Sequence, residues 1–158
     1  MKCPDVGDLA PDFELQDQDG RIFRLSDLRG SIVVLYFYPK AMTRGCTIEA
    51  VGFRDHYESI RSLGAVVVGV SKDKIEDIKK FSEKYNLPFR LLADPDSKII
   101  KLFCVGGVAG IARRVTFLID DKGVIRKIWR KVDPSKHAQE VIEELKKISG
   151  KDREDVTR

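Results

Sequence analysis

The sequence is poor in the residues that build metal sites and disulfide scaffolds. Its three cysteines, Cys3, Cys46 and Cys104, are scattered, and no Cys-x-x-Cys motif occurs. The two histidines, His56 and His137, lie far apart and have no metal-ligand spacing around them. We therefore predict that the protein holds no metal and no cofactor, and that both histidines are surface or partly buried helix residues.

Long apolar runs are absent as well. No stretch approaches the length that crosses a bilayer, and the N-terminal segment lacks the apolar part of a signal peptide. The 29 basic residues give a net charge of +4, and they are spread along the chain without a basic block interleaved with aromatic residues. We expect no membrane partner, no nucleic-acid partner and a cytoplasmic location.

What the chain does contain is enough apolar sequence for one core. Hydrophobic residues occupy 42% of the 158 positions, which suits a single domain of ordinary size. We assign residues 1–150 to that domain and residues 151–158 to a charged C-terminal tail, with no internal linker or repeat.

The order of patterns predicts an α/β fold. A β-hairpin over residues 13–24 precedes apolar strands at 32–38, 65–70 and 114–119, and the last of these pairs with residues 124–129. Helical periodicity covers about 46–63, 75–85 with Ser71 and Asp73 as candidate caps, and a final helix starting at Asp133. A helical crossover makes the first two core strands parallel, so we predict a central mixed sheet flanked by helices, with an N-terminal β-hairpin.

The most informative stretch runs from the first core strand into the first long helix. Pro39 ends the strand because it cannot donate to the ladder, and Gly45 is the expected flexible point of the short loop that follows. Cys46 then falls in the first helical turn, where free backbone N–H groups and the helix dipole favour a negative charge. This placement predicts a thiolate at the carboxyl end of a sheet, where α/β folds carry their sites.

Two further features bear on the reactivity of this cysteine. The hydroxyl of Thr43 lies one turn before the sulfur, and Lys40 and Arg44 add positive charge nearby. A buried cysteine is usually a small inert residue, which is the alternative for Cys46. The helix start, the threonine and the cations together favour a reactive thiol.

The residues from Pro39 to Cys46, P-K-A-M-T-R-G-C, match the Pro-x-x-x-Thr-x-x-Cys pattern of peroxiredoxins. From about Gly7 to about Ile148 the chain resembles the bacterioferritin comigratory protein group, also called peroxiredoxin Q. The resemblance implies a thioredoxin-like fold. It also implies a thiol-dependent peroxidase that reduces hydrogen peroxide and organic hydroperoxides through a cysteine sulfenic acid.

The same resemblance assigns roles to individual residues. Arg114 stands two residues before a Thr-Phe-Leu-Ile-Asp string, and in the family this arginine reaches the cysteine. Its neighbour Arg113 should point to the other face of the strand. Glu49 is either a simple first-turn acid or the residue that orients the arginine, and Pro39 would shield the sulfur from water.

The sequence leaves the resolving thiol open. Many members of the group carry a second cysteine five residues after the reactive one, where this chain has Val51, and others carry it near Ser82. Either Cys104 or Cys3 therefore resolves the sulfenic acid, or an external thiol does so. We favour the single-cysteine mechanism, with Cys104 as an inert packed residue.

The expected partners are a hydroperoxide and a thiol reductant such as thioredoxin or a glutaredoxin-like protein, acting on a monomer or homodimer. One alternative is a non-catalytic thiol sensor or chaperone on the same fold. Another is a thioredoxin-like disulfide oxidoreductase, which the missing Cys-x-x-Cys motif and the lack of proline in residues 111–116 disfavour.

Overall fold

A single seven-stranded mixed sheet organises the protein. The computed structural model describes residues 2–149, so the predicted tail at 151–158 lies outside it. The strands are Glu14–Asp17 (β1), Ile22–Arg24 (β2), Ile32–Phe37 (β3), Ala65–Ser71 (β4), Arg90–Ala93 (β5), Val115–Ile119 (β6) and Ile125–Trp129 (β7). The helices are Arg44–Asp55 (α1), Tyr57–Ser62 (α2), Ile75–Tyr85 (α3), Lys98–Leu102 (α4) and His137–Ser149 (α5).

The strand order is β2-β1-β5-β4-β3-β6-β7. β3 and β4 are parallel, as the crossover predicts, whereas β6 runs antiparallel to β3 and pairs with β7. The N-terminal hairpin joins the same sheet because β1 pairs with β5. The predicted α/β architecture with a central mixed sheet is confirmed. No helix within residues 2–149 has the length and apolarity needed to cross a membrane.

The core has one layer on each face of the sheet because side chains alternate along β3. Val34, Tyr36 and Tyr38 face α1, α2, α3 and α5, while Val33, Leu35 and Phe37 face the layer that includes α4. The ring of Tyr36 lies against Gly69 of β4, where an added Cβ would come within 2.9 Å of two ring atoms. Glycine at 69 therefore makes room for the Tyr36 ring.

The helix boundaries differ from the sequence prediction in two places, and one predicted helix cap is absent. The first long helix breaks at His56, whose ring Nδ1 lies 2.9 Å from the Gly52 carbonyl, and α2 follows as a separate helix. α5 begins at His137, because Asp133 instead closes a local turn by accepting from the Ser135 N–H. α3 has Lys74 at its N-cap with no side-chain cap, so the predicted capping by Ser71 or Asp73 is wrong.

The burial of His137 differs from the sequence prediction. Its side chain is fully buried, against the prediction of a surface or partly buried residue. The ring Nε2 lies 2.8 Å from the Thr116 hydroxyl, and the ring packs edge-on against Phe53 and Trp129. Burial lowers the pKa of His137, so the neutral ring is favoured as a structural link between α5 and β6.

Candidate active site

The candidate site lies where β3 ends and α1 begins. The loop between them places Cys46 in the first turn of α1, the position predicted from the sequence. Its side chain points into the layer between α1 and the sheet and is 1% exposed. First-turn N–H groups without intrahelical partners surround this position, which favours negative charge on the sulfur.

A guanidinium reaches the sulfur from the neighbouring strand. β6 is antiparallel to β3, with Phe37 opposite Val115, so the start of β6 meets the end of β3. Arg114 directly precedes β6, and its Nη2 donates to Cys46 Sγ at 3.5 Å. Arg113 points away and donates to the Cys104 carbonyl at 3.1 Å. The sheet thus brings together two residues that are 68 positions apart in the chain.

Glu49 holds the other side of the same guanidinium. Arg114 Nη1 donates to Glu49 Oε1 at 2.8 Å, and the Glu49 side chain is fully buried. Burial raises the pKa of Glu49 from 4.5 to about 7, against the opposing attraction of Arg114. Burial also opposes the charge on Arg114, but Glu49 and Cys46 outweigh it and hold the pKa of Arg114 above its ordinary value. The geometry therefore orients the arginine toward the sulfur.

Gly45 provides the space that this arrangement needs. An added Cβ at this position would lie 2.9 Å from Arg114 Nη2 and 3.8 Å from the Pro134 ring. Gly45 lies inside α1 with ordinary helical backbone, so its predicted role as a flexible loop point is wrong. Residue 45 has to be small because the Arg114 guanidinium lies directly against it.

Thr43 occupies the N-cap position of α1, but its side chain does not cap the helix. Its hydroxyl donates to the Lys40 carbonyl at 2.7 Å, so its one proton is not directed at the sulfur. The hydroxyl lone pairs stay available to accept a hydrogen bond from a ligand. Pro39 is half-buried at the end of β3, while Lys40 and Arg44 are exposed.

The two remaining cysteines are bonded to each other. Cys3 and Cys104 form a disulfide with a Cα–Cα distance of 5.7 Å, and Cys46 is free. The structure therefore brings neither candidate resolving thiol to Cys46. Cys104 is also partly exposed, which differs from the packed inert residue that the sequence suggested. Sequence reasoning missed this pair because cysteines separated by 101 positions carry no local signal.

Residues 2–149 contain no group of three or more His, Cys, Asp or Glu side chains that could hold a metal ion. The chemistry that the site can perform follows from its parts. A buried sulfur beside a fixed cation is a nucleophile whose negative charge is stabilised. The remaining N–H donors of the guanidinium can stabilise charge that develops on a bound oxygen.

The chain matches the family model described as the AhpC/TSA family over residues 6–128. It is 46% identical to peroxiredoxin Bcp of Bacillus subtilis over 155 residues, covering 93% of this chain and 98% of that protein. Peroxiredoxin Bcp of Escherichia coli K12 is 40% identical over 148 residues, covering 89% and 95%.

Solved structures of related proteins share the fold. Peroxidoxin BcpB from Mycobacterium tuberculosis superposes with a TM-score of 0.86 at 36% identity, covering 92% of this chain and 98% of that one. The bacterioferritin comigratory protein of Xanthomonas campestris, whose structure concerns alkyl peroxide reduction, gives 0.82 at 31% identity, covering 87% and 92%. The fold is thus thioredoxin-like. The chain belongs to the AhpC/TSA family, in its peroxiredoxin Bcp and peroxiredoxin Q group, and is a thiol-dependent peroxidase.

Proposed function

We propose that this peroxidase works with a single catalytic cysteine, Cys46, and that an external thiol regenerates it. The observation that supports Cys46 as the catalytic cysteine is the guanidinium of Arg114, which contacts Cys46 Sγ at 3.5 Å and Glu49 Oε1 at 2.8 Å. This contact fixes a positive charge beside the nucleophile before the substrate binds. Such preorganisation lowers the activation barrier of a step in which negative charge develops.

In the oxidation step, the Cys46 thiolate attacks the terminal oxygen of the hydroperoxide and the O–O bond breaks. The departing alkoxide or hydroxide takes a proton from solvent and leaves as an alcohol or water, and the sulfur becomes a sulfenic acid. Thr43 accepts a hydrogen bond from the hydroperoxide O–H, because its own proton is held by the Lys40 carbonyl. Arg114 stabilises the charge that moves onto the leaving oxygen.

In the reductive step, an external thiol condenses with the sulfenic acid, releasing water and forming a mixed disulfide. A second thiol then displaces Cys46 and completes the cycle. The pairing of Cys3 with Cys104 supports this route, because both thiols are occupied in a separate disulfide. Thioredoxin or a glutaredoxin-like protein remains the reductant that we propose.

We propose hydrogen peroxide and organic hydroperoxides as the substrates. Two apolar side chains close to Cys46 in the chain are exposed, Met42 at 42% and Ile48 at 39%. Such side chains can contact the alkyl part of a hydroperoxide. The alkyl peroxide reduction of the Xanthomonas relative points in the same direction.

The decisive experiment measures steady-state peroxide consumption with a thiol reductant, together with mass mapping of the oxidised protein. We expect sustained turnover that Cys46→Ser abolishes, and slower oxidation in Thr43→Val and Arg114→Ala. Cys3→Ser and Cys104→Ser should keep turnover. Oxidation that stops after one equivalent would indicate the sensor alternative, and a dominant Cys46–Cys104 disulfide would overturn the single-cysteine route.

Oligomeric state and cellular location stay predictions, namely a monomer or homodimer in the cytoplasm. Analytical ultracentrifugation of the reduced and oxidised protein tests the first. Fractionation of source cells, followed by immunoblotting, tests the second.

A further inference from the structure

The loop before α1, which contains Thr43, is held in a backbone conformation that its sequence does not favour. Met42 has a φ of 71°, in the left-handed region that residues other than glycine and asparagine rarely occupy. Such a residue persists only when surrounding contacts hold it there, and residues of this kind concentrate at functional sites. The contacts around residues 40–43 therefore identify what maintains the site.

One side-chain anchor of this loop comes from the next strand. β3 and β4 end side by side, with Phe37 opposite Val70 and the Tyr38 N–H donating to the Val70 carbonyl at 3.0 Å. The segments that follow the two strands, residues 39–43 and 71–73, consequently lie together. Asp73 Oδ2 accepts the Ala41 N–H at 2.8 Å.

Asp73 is itself fixed in place. Ser71, which is fully buried, donates its hydroxyl to Asp73 Oδ2 at 2.8 Å. The carboxylate makes no cap for α3, so its hydrogen-bonding capacity is directed across the sheet end and not along its own helix. The bond from a backbone N–H to a carboxylate belongs to the stronger class of hydrogen bonds.

From these contacts we propose that Asp73 is a positioning residue for the peroxidase reaction. It holds the Ala41 backbone, keeps Met42 in the left-handed conformation, and so maintains the turn in which the Lys40 carbonyl orients the Thr43 hydroxyl. Without the carboxylate, the preference of Met42 for negative φ changes the turn, and the Thr43 hydroxyl loses the position in which it accepts the hydroperoxide O–H. This inference rests on the role proposed above for Thr43.

The test measures the second-order rate constant for oxidation of Cys46 by hydrogen peroxide in rapid-mixing experiments. Asp73→Ala should lower this rate constant about tenfold or more, the scale of losing one hydrogen bond to a charged acceptor. Asp73→Asn keeps an oxygen acceptor and should stay within about threefold of the parent. The rate of regeneration by the reductant should change little in either variant.

A second substitution separates positioning from general loss of stability. Met42→Gly removes the backbone penalty, so adding it to Asp73→Ala should restore a large part of the lost rate. Asp12→Ala is the matched control, because Asp12 also holds a backbone N–H, that of Ser26 at 2.8 Å, and lies outside the site. It should lower thermal stability without slowing oxidation.

Distinct outcomes separate this inference from the proposed function. If Thr43→Val slows oxidation but Asp73→Ala does not, Asp73 has no positioning role and the inference fails. If Asp73→Ala is slow and Met42→Gly restores nothing, the strain argument is wrong and the inference is overturned. If Thr43→Val itself keeps the full rate, the proposed role of Thr43 fails first.

Discussion

Replacing Cys104 by glycine should destabilise this protein under oxidising conditions but not under reducing conditions. Cys104 lies just past Phe103, the residue that ends α4. Two backbone bonds close this helix end, from the Cys104 N–H to the Lys101 carbonyl at 3.0 Å and from the Val105 N–H to the Ile100 carbonyl at 3.1 Å. Its φ is 59°, and this helix-ending position strongly favours glycine. A cysteine here is locally unfavourable unless its sulfur is used.

Two opposing terms give the magnitudes. The disulfide spans 101 residues, and a cross-link of about that length stabilises a folded chain by about 4–5 kcal/mol in the loop-entropy estimate. A left-handed residue with a side chain costs about 1 kcal/mol. Glycine relieves that cost but loses up to about 1 kcal/mol through the greater freedom of the unfolded chain.

Oxidised Cys104→Gly protein should therefore unfold on the order of 10 °C below the oxidised parent, since about 1 kcal/mol corresponds to a few degrees at this size. In excess reductant, the Cys104→Gly variant should be as stable as the parent or up to about 1 kcal/mol more stable. Thermal unfolding with and without reductant measures both. Cys3→Ser is the control, because it removes the disulfide but keeps the unfavourable residue.

Two results would refute this reasoning. A variant that is clearly less stable than the parent in reductant would show that Cys104 contributes through packing and not through its sulfur. A parent protein whose unfolding temperature does not depend on reductant would show that the cross-link has no effect on stability.

Three further predictions concern the site and the core. Gly45→Ala should slow oxidation of Cys46 measurably while leaving helicity intact, since its Cβ would lie 2.9 Å from Arg114 Nη2; an unchanged rate would mean that the guanidinium moves freely. Gly69→Ala should lower the free energy of unfolding by about 1–3 kcal/mol through overpacking of Tyr36, measured by urea titration. Folding binds a proton at Glu49 because its pKa rises from 4.5 to about 7, so this contribution is present below pH 4.5 and lost as pH rises through about 7. The loss is at most roughly 3 kcal/mol at 1.36 kcal/mol per pKa unit, and Glu49→Gln should flatten that part of the stability–pH curve; a variant curve that still falls there would contradict it.

Much of the fold could be read from local patterns. The apolar run that forms β3 has the length and β-branched content of a buried strand, and the apolar stripes of α3 and α5 each fit one helical face. The predicted helix boundary was wrong at His56, because the ring of this residue competes with the backbone for a helical carbonyl, that of Gly52. His137 was misjudged because its partner, Thr116, lies on a distant strand.

The sequence by itself determined the position of Cys46, because a strand, a proline and a helix start that are contiguous in the chain put this residue in the first turn of α1. Tertiary structure alone decided which groups contact that sulfur and the loop before α1, and how the other two cysteines pair. The antiparallel register of β6 with β3 delivers Arg114, the end of β4 delivers Asp73, and the return of the N-terminus pairs Cys3 with Cys104. These groups meet through strand pairing and chain closure over long separations, and such contacts leave no periodic signal in the sequence.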